Sequence, residues 1–183
     1  KAEAPQTALL VGHSMGGMIS GLLTAEHPEQ VQRIVFMSSA GVAFNENDFA
    51  RQVLKGYNPF AEYEADALLS FMKTYVFADP PYIPKALINV IVAQRAAKKE
   101  FERTVFTQIR TGPEAFLLQQ RLPDITQPVG LLWCDQDRII DPSAAVVFAK
   151  GLQTSETRIL SGCGHMPMME QPEQVAAFLL SRF

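Results

Sequence analysis

The stretch TALLVGHSMGGMISGLL, residues 7–23, passes from an apolar run through a glycine-flanked serine into a segment with Met15, Met18, Ile19, Leu22 and Leu23 at helical spacing. The pattern predicts a buried strand over 7–11, a sharp turn at Ser14 and a helix over 15–27 that Pro28 stops. Within it, Gly12-His13-Ser14-Met15-Gly16 fits Gly-x-Ser-x-Gly, and the strand before and helix after it give those five residues their meaning. A chain that folds back so sharply crowds the residues two places to either side of the serine. Gly12 and Gly16 are therefore the expected small neighbours, with Gly17 adding room. Such a turn lifts the Ser14 hydroxyl above the strand, at the positive end of the helix. It also aims the Met15 backbone N–H at an oxyanion developing beside Ser14. The competing reading is a glycine-rich turn with an incidental serine.

Working outward, RIVFMSS (33–39), VGLLWC (129–134) and TRILSG (157–162) read as three more strands. A helix is predicted over 142–152, with Asp141 as N-cap and Pro142 at its first position, and another over 172–183. Strands alternating with helices predict an α/β fold with a parallel sheet covered on both faces. Residues 44–125 break that rhythm. Two helical stretches, 61–77 and 84–109, are joined there by DPPYIP (79–84). The expected organisation is a core made of 1–43 and 126–183, with 44–125 as an inserted helical cap. Eight of the twelve Phe residues fall in that insertion, at 44, 49, 60, 71, 77, 101, 106 and 116. Most are expected to build the cap's own core, and some to line an apolar pocket beneath it.

Composition narrows the function classes. A chain of 183 residues, 48% apolar, supports one sizeable core. A formal charge of −3, with no basic run denser than Lys98-Lys99, argues against a nucleic-acid partner. No apolar run approaches the roughly 20 residues that span a bilayer, and KAEAPQT is no signal-peptide start, so the chain as given reads as soluble; its compartment stays open, with the cytoplasm slightly favoured and room for a targeting segment upstream. The glycine spacing fits no dinucleotide fingerprint, and no metal or other cofactor is expected. Cys134 and Cys163 are too few for a disulfide framework or a four-cysteine zinc site. They stand at the ends of neighbouring strands, where two buried free thiols are the default expectation over a disulfide.

A serine nucleophile needs a base, and the base an orienting acid. Of three histidines, His13 adjoins Ser14 along a sharp turn and is expected to pack or hydrogen-bond nearby. His27 ends the following helix, about 18 Å away at 1.5 Å per residue, and is expected at the surface. His165 lies in Gly-Cys-Gly-His-Met-Pro (162–167), a loop leaving the last strand, where sheets of this kind place ligand-facing groups; it is the expected base. Three aspartates follow the third strand. Asp141 is better explained as a cap. Asp137 is favoured as the acid over Asp135, which abuts the strand end and suits loop formation.

The order Ser, Asp, His is the one used by α/β hydrolases, and the sequence resembles that superfamily throughout. The resemblance is carried by VGHSMGG, RIVFMSSAG, LLWCDQDRIIDPSAA and GCGHMPMMEQPEQVAAFL. It is nearest to the lipase and esterase branch that includes monoacylglycerol-lipase-like enzymes, whose cap carries stretches similar to GYNPF and VFADPPYIP. The resemblance implies Ser14 as nucleophile, Asp137 as acid, His165 as base and an apolar small-molecule ester as substrate. It departs from the family pattern at Cys134, where glycine is usual. Family members also carry on the order of a hundred residues ahead of the elbow strand, including the loop that donates a second oxyanion N–H. Here six residues precede it. The expectation is a chain corresponding to the C-terminal portion of such a hydrolase, which self-associates or pairs with an N-terminal segment and is weakly active alone.

Other readings use the same residues. C–C bond hydrolysis of a dienoic acid, or cofactor-free peroxidase-like chemistry, runs on the same triad, and an acidic substrate would call for cationic groups such as Arg95 or Arg103 in the pocket. These two arginines also suit a solvated face. A non-catalytic ligand-binding module is a further alternative. The amphipathic segment 85–103 could rest on a membrane surface, although packing onto the core explains it better.

Overall fold

The second and third strands, β2 (Ile34–Met37) and β3 (Val129–Cys134), are buried at every position. IVFM and VGLLWC have no polar side to turn to water, so both faces of these strands must be covered. The computed structural model, which describes residues 9–181, does this with a parallel sheet of order β1-β2-β3-β4, in which β1 is Leu10–His13 and β4 is Ser155–Leu160. The helices in chain order are α1 (Met15–Glu26), α2 (Asp48–Leu54), α3 (Ala65–Phe71), α4 (Lys85–Ala96), α5 (Lys99–Thr111), α6 (Leu117–Arg121), α7 (Ser143–Gly151), α8 (Pro167–Glu170) and α9 (Pro172–Leu180). Five of them, α2–α6, lie between β2 and β3.

Side chains alternate along a strand, and the sheet sorts them into two layers. Ile34, Phe36, Leu131 and Trp133 pack with Met18 of α1, Leu118 of α6 and Phe148 of α7. Val35, Met37, Leu132 and Leu160 pack on the other face with Val175 and Phe178 of α9. Gly130 lets Phe178 approach, because a Cβ there would stand 3.0 Å from its ring. The buried indole N–H of Trp133 donates to the Ile140 carbonyl at 3.1 Å, tying the core to the loop that follows β3. Among the described residues β1 and β4 are the outer strands, and apolar Val11, Ile19 and Leu23 on or beside β1 are exposed.

Several predicted boundaries move. The first strand runs over 10–13 rather than 7–11, since pairing with β2 carries it through Gly12 and His13, while residues 7 and 8 lie outside the described part. The fourth runs over 155–160 rather than 157–162, because the Asp135 carboxylate takes the Ser161 hydroxyl and the Gly162 N–H, and Gly162 leaves the strand at φ 75°. The stretch 84–109 is two helices, broken at Ala97-Lys98 with Arg95 and Glu102 facing each other across the break. The last helix stops at Leu180, and residues 182–183 of the predicted span lie outside the description. Before α7, Asp141 accepts the Ser143 N–H at 2.9 Å.

The two cysteines overturn the free-thiol expectation. Cys134 and Cys163 are fully buried and joined as a disulfide, with Cα atoms 5.2 Å apart. Register places Cys134 beside Leu160, and the turn at Gly162 brings Cys163 back over the end of β3.

Phe148 joins the sheet to α7, with its ring 4.8 Å from Phe36 and 5.7 Å from Trp133. Phe148→Ala is expected to lower unfolding free energy by about 3–5 kcal/mol in urea denaturation, while Val146→Ala on the exposed face of the same helix changes it by no more than about 0.5 kcal/mol.

Candidate active site

Ser14 sits between β1 and α1 at φ 54°, ψ −125°, a conformation that costs a non-glycine residue about 1–3 kcal/mol and persists only when its surroundings enforce it. The enforcement is visible. The Ser14 N–H donates to Met37 O at 3.1 Å, and Ser14 O accepts from Gly17 N and Ala40 N, each at 3.0 Å. A Cβ on Gly12 would lie 2.6 Å from Gly17 Cα and 2.7 Å from Gly16 O, both backbone atoms with no room to yield. The second glycine the turn requires is Gly17, whose Cβ would collide with the Ser39 side chain. Gly16 departs from expectation: a Cβ there meets nothing within 4 Å among the described residues. Met15 opens α1, and its side chain lines the cavity described below.

His165 reaches Ser14 from the far side of the sheet. Its Nε2 lies 3.0 Å from Ser14 Oγ, and its Nδ1 lies 3.0 and 3.1 Å from the two carboxylate oxygens of Asp137. Asp137 and His165 are both buried. Asp137 Oδ1 also accepts the N–H groups of Ile139 and Ile140, each at 3.0 Å, which satisfies the buried carboxylate and aims it. This arrangement requires the imidazole tautomer with the proton on Nδ1, leaving the Nε2 lone pair for the serine hydroxyl.

The His165 loop is held from several directions. Its N–H donates at 2.7 Å to the carbonyl of Val76, the last residue of a single π-helical turn, Met72–Val76, that continues α3. Its carbonyl accepts from His13 Nε2 at 2.7 Å, and the two imidazole centroids are 4.8 Å apart. Glu170, which sequence reasoning overlooked, accepts the N–H groups of Ala78, Gly164 and Met166 and so ties the loop to residues 76–78. Its only sequence signal was an acid five residues after the histidine. Asp135 shapes the turn at 161–162 and does not join the chain from Ser14 to Asp137. His27 ends α1 with its side chain 43% exposed.

A cavity of about 360 Å³ opens at Ser14 and is walled mainly by apolar side chains, among them Met18, Phe49, Val53, Phe106, Ile109 and Ile139. The phenylalanines of residues 44–125 divide between tasks. Phe44, Phe49, Phe106 and Phe116 line the cavity, Phe71 packs behind Phe49, Phe77 is buried and Phe101 is exposed; the Phe60 side chain lies outside the description. Arg95 is occupied by Glu102 and the Pro59 carbonyl, and Arg103 by Glu100; the arginine on the cavity wall is Arg110.

Residues 2–178 match the alpha/beta hydrolase family. The chain belongs to that family. It is 28% identical over 182 residues to human monoacylglycerol lipase ABHD6, covering 93% of this chain and 53% of that protein. Against lipase 1 of Psychrobacter immobilis it is 29% identical over 175 residues, covering 90% and 52%. The crystal structure of a membrane phospholipase A, a bacterial virulence factor, superposes with a TM-score of 0.87 at 32% identity, covering 97% of this chain and 58% of that one. The chain thus spans about half the length of the curated relatives it matches.

Burial, and secondarily the neighbouring His165, lower the His13 pKa below its ordinary 6.5. The unfolded chain then binds a proton that the folded chain refuses. This contribution to stability is full above pH 6.5 and is lost as pH falls through 6.5 toward the lowered folded value. Between pH 7.5 and 5.5 the denaturation midpoint is expected to fall further for the parent protein than for His13→Asn; equal slopes would contradict this origin.

Proposed function

We propose that this protein hydrolyses carboxylic esters of apolar acyl groups through an acyl-enzyme formed on Ser14. The observation that carries this reading is the continuous hydrogen-bonded path from Asp137 through His165 to Ser14 Oγ, ending at the mouth of an apolar cavity. His165 Nε2 takes the Ser14 proton as Oγ attacks the ester carbonyl, and Asp137 holds the Nδ1 proton and stabilises the imidazolium that forms. The Met15 N–H, at the positive end of α1, donates to the oxyanion. His165 then returns its proton to the leaving alcohol, and water attacks the acyl-enzyme by the same route in reverse.

Residues 44–125 serve in this reading as a cap over a core formed by 1–43 and 126–183. The cavity draws its walls from both, with Met18 and Ile139 on the core side and Phe49, Phe106 and Ile109 on the cap side. Such a surface suits an acyl chain, so a monoacylglycerol or a similar medium-chain ester is the substrate class. The names of the lipase relatives support the same direction. The preference for ester over C–C bond hydrolysis rests on the predominantly apolar lining of that cavity; Arg95 and Arg103 are committed elsewhere, and the lining's one arginine, Arg110, is accompanied there by the acidic Glu46.

With p-nitrophenyl hexanoate and a monoacylglycerol as substrates, Ser14→Ala is expected to cut kcat by about 10⁴-fold or more with the fold intact. Undiminished hydrolysis by the variant would remove Ser14 from the role of nucleophile.

A further inference from the structure

We propose that the Cys134–Cys163 disulfide is a positioning pair: it sets the geometry of the acid and base loops against each other and so controls the reactivity of Ser14, beyond any stabilisation of the fold. The proposal rests on the reading of Ser14 as nucleophile. Cys134 is the last residue of β3, three positions before Asp137, and Cys163 lies two positions before His165. The bridge therefore links the two loops at the roots of the two residues that must hold a 3.0 Å contact.

The backbone around Cys163 shows why such a link matters. Gly162 precedes it at φ 75° with open space where a Cβ would stand. Gly164 follows it, and a Cβ there would press on Val76 O and Ala78 N at 2.7 and 2.8 Å, so glycine is required for the loop to approach residues 76–78. The base is thus carried on a loop with the least restrained residue type on both sides of Cys163. The disulfide fixes the middle of that Gly-Cys-Gly segment to the end of a fully buried strand.

The two cysteines also carry backbone hydrogen bonds of the acid loop. Gln136 N donates to Cys163 O at 3.1 Å, and Asp137 N to Cys134 O at 3.3 Å. Releasing the sulfurs therefore loosens the backbone anchors of both Gln136 and Asp137. Both sulfurs are sealed from solvent, so the bridge acts through geometry and not through thiol chemistry at the site. The pattern this sequence resembles has glycine in place of Cys134, a residue that cannot form such a link. A displacement of about 1 Å between reacting groups suffices to slow a reaction by about 100-fold.

The test compares the intact protein with Cys134→Ala/Cys163→Ala and with Cys134→Gly/Cys163→Ala, the second of which places the family's residue at 134. All are measured well below their own melting temperatures, with native secondary structure checked by circular dichroism. One readout is the second-order rate of Ser14 phosphonylation by an alkyl fluorophosphonate; the other is the downfield proton resonance of His165 Nδ1–H in the bond to Asp137. Both variants are expected to react about tenfold or more slowly and to show that resonance broadened or lost while remaining folded. Unchanged rates with the resonance intact would overturn the proposal and leave the bridge a purely structural feature. If Ser14 of the intact protein does not react at all, the reading of the nucleophile fails. The resonance then decides the clamp alone, its loss in the variants supporting it and its persistence refuting it.

Discussion

The site depends on bringing a histidine from the loop after β4, an outer strand among the described residues, to a serine at the end of β1. Neighbouring strands are about 4.8 Å apart, so the ends of β1 and β3 are separated by two such spacings. No serine oxygen can touch an aspartate across that gap directly; an imidazole with a hydrogen bond at each end can. His165 must nevertheless arrive from β4, one strand further out, on a loop that crosses back over the end of β3. Much of the structure around residues 160–170 serves that crossing. Asp135 turns the loop at Ser161 and Gly162, Glu170 ties it to residues 76–78, His13 supports its carbonyl, and Cys163 joins it to β3.

The same requirement explains why polar groups with no solvent contact are tolerated at the top of an apolar sheet. Asp137 is buried, yet each of its partners is a donor placed by a rigid element: two N–H groups of its own tight loop and the Nδ1–H of His165. Trp133 locks that loop from beneath through Ile140 O. On the other side, the cost of the positive-φ Ser14 conformation is offset by backbone hydrogen bonds at its N–H and carbonyl and by the close fit of Gly12 against Gly16 and Gly17. Both hydrogen-bonding ends of the His165 ring thus face partners that rigid backbone holds in place.

Much of this was legible in the sequence, for a physical reason. Strand burial is written in consecutive apolar residues such as IVFM and VGLLWC, and the turn at Ser14 in the glycines around it, of which Gly12 and Gly17 leave no room for a side chain. Loop positions after strands then narrowed three histidines to His165 and three aspartates to Asp137. What was not legible arises from contacts distant along the chain. The Cys134–Cys163 bond follows from strand register together with one positive-φ glycine, neither of which composition reports. Glu170 looks like any first-turn acid until Ala78 folds against it, 92 residues away. The exchange of roles between Gly16 and Gly17 depends on where Ser39 lies, and the helix break at Ala97-Lys98 carries no glycine or proline to mark it.

The most direct test of the account is a crystal structure of the protein after reaction with a medium-chain alkyl fluorophosphonate. The account predicts phosphorus bonded to Ser14 Oγ, the phosphoryl oxygen within hydrogen-bond distance of the Met15 N–H, His165 still bonded to Asp137, and the alkyl chain lying among Met18, Phe49, Phe106 and Ile139. Phosphorus on any other residue, or an alkyl chain directed away from that cavity, would contradict it.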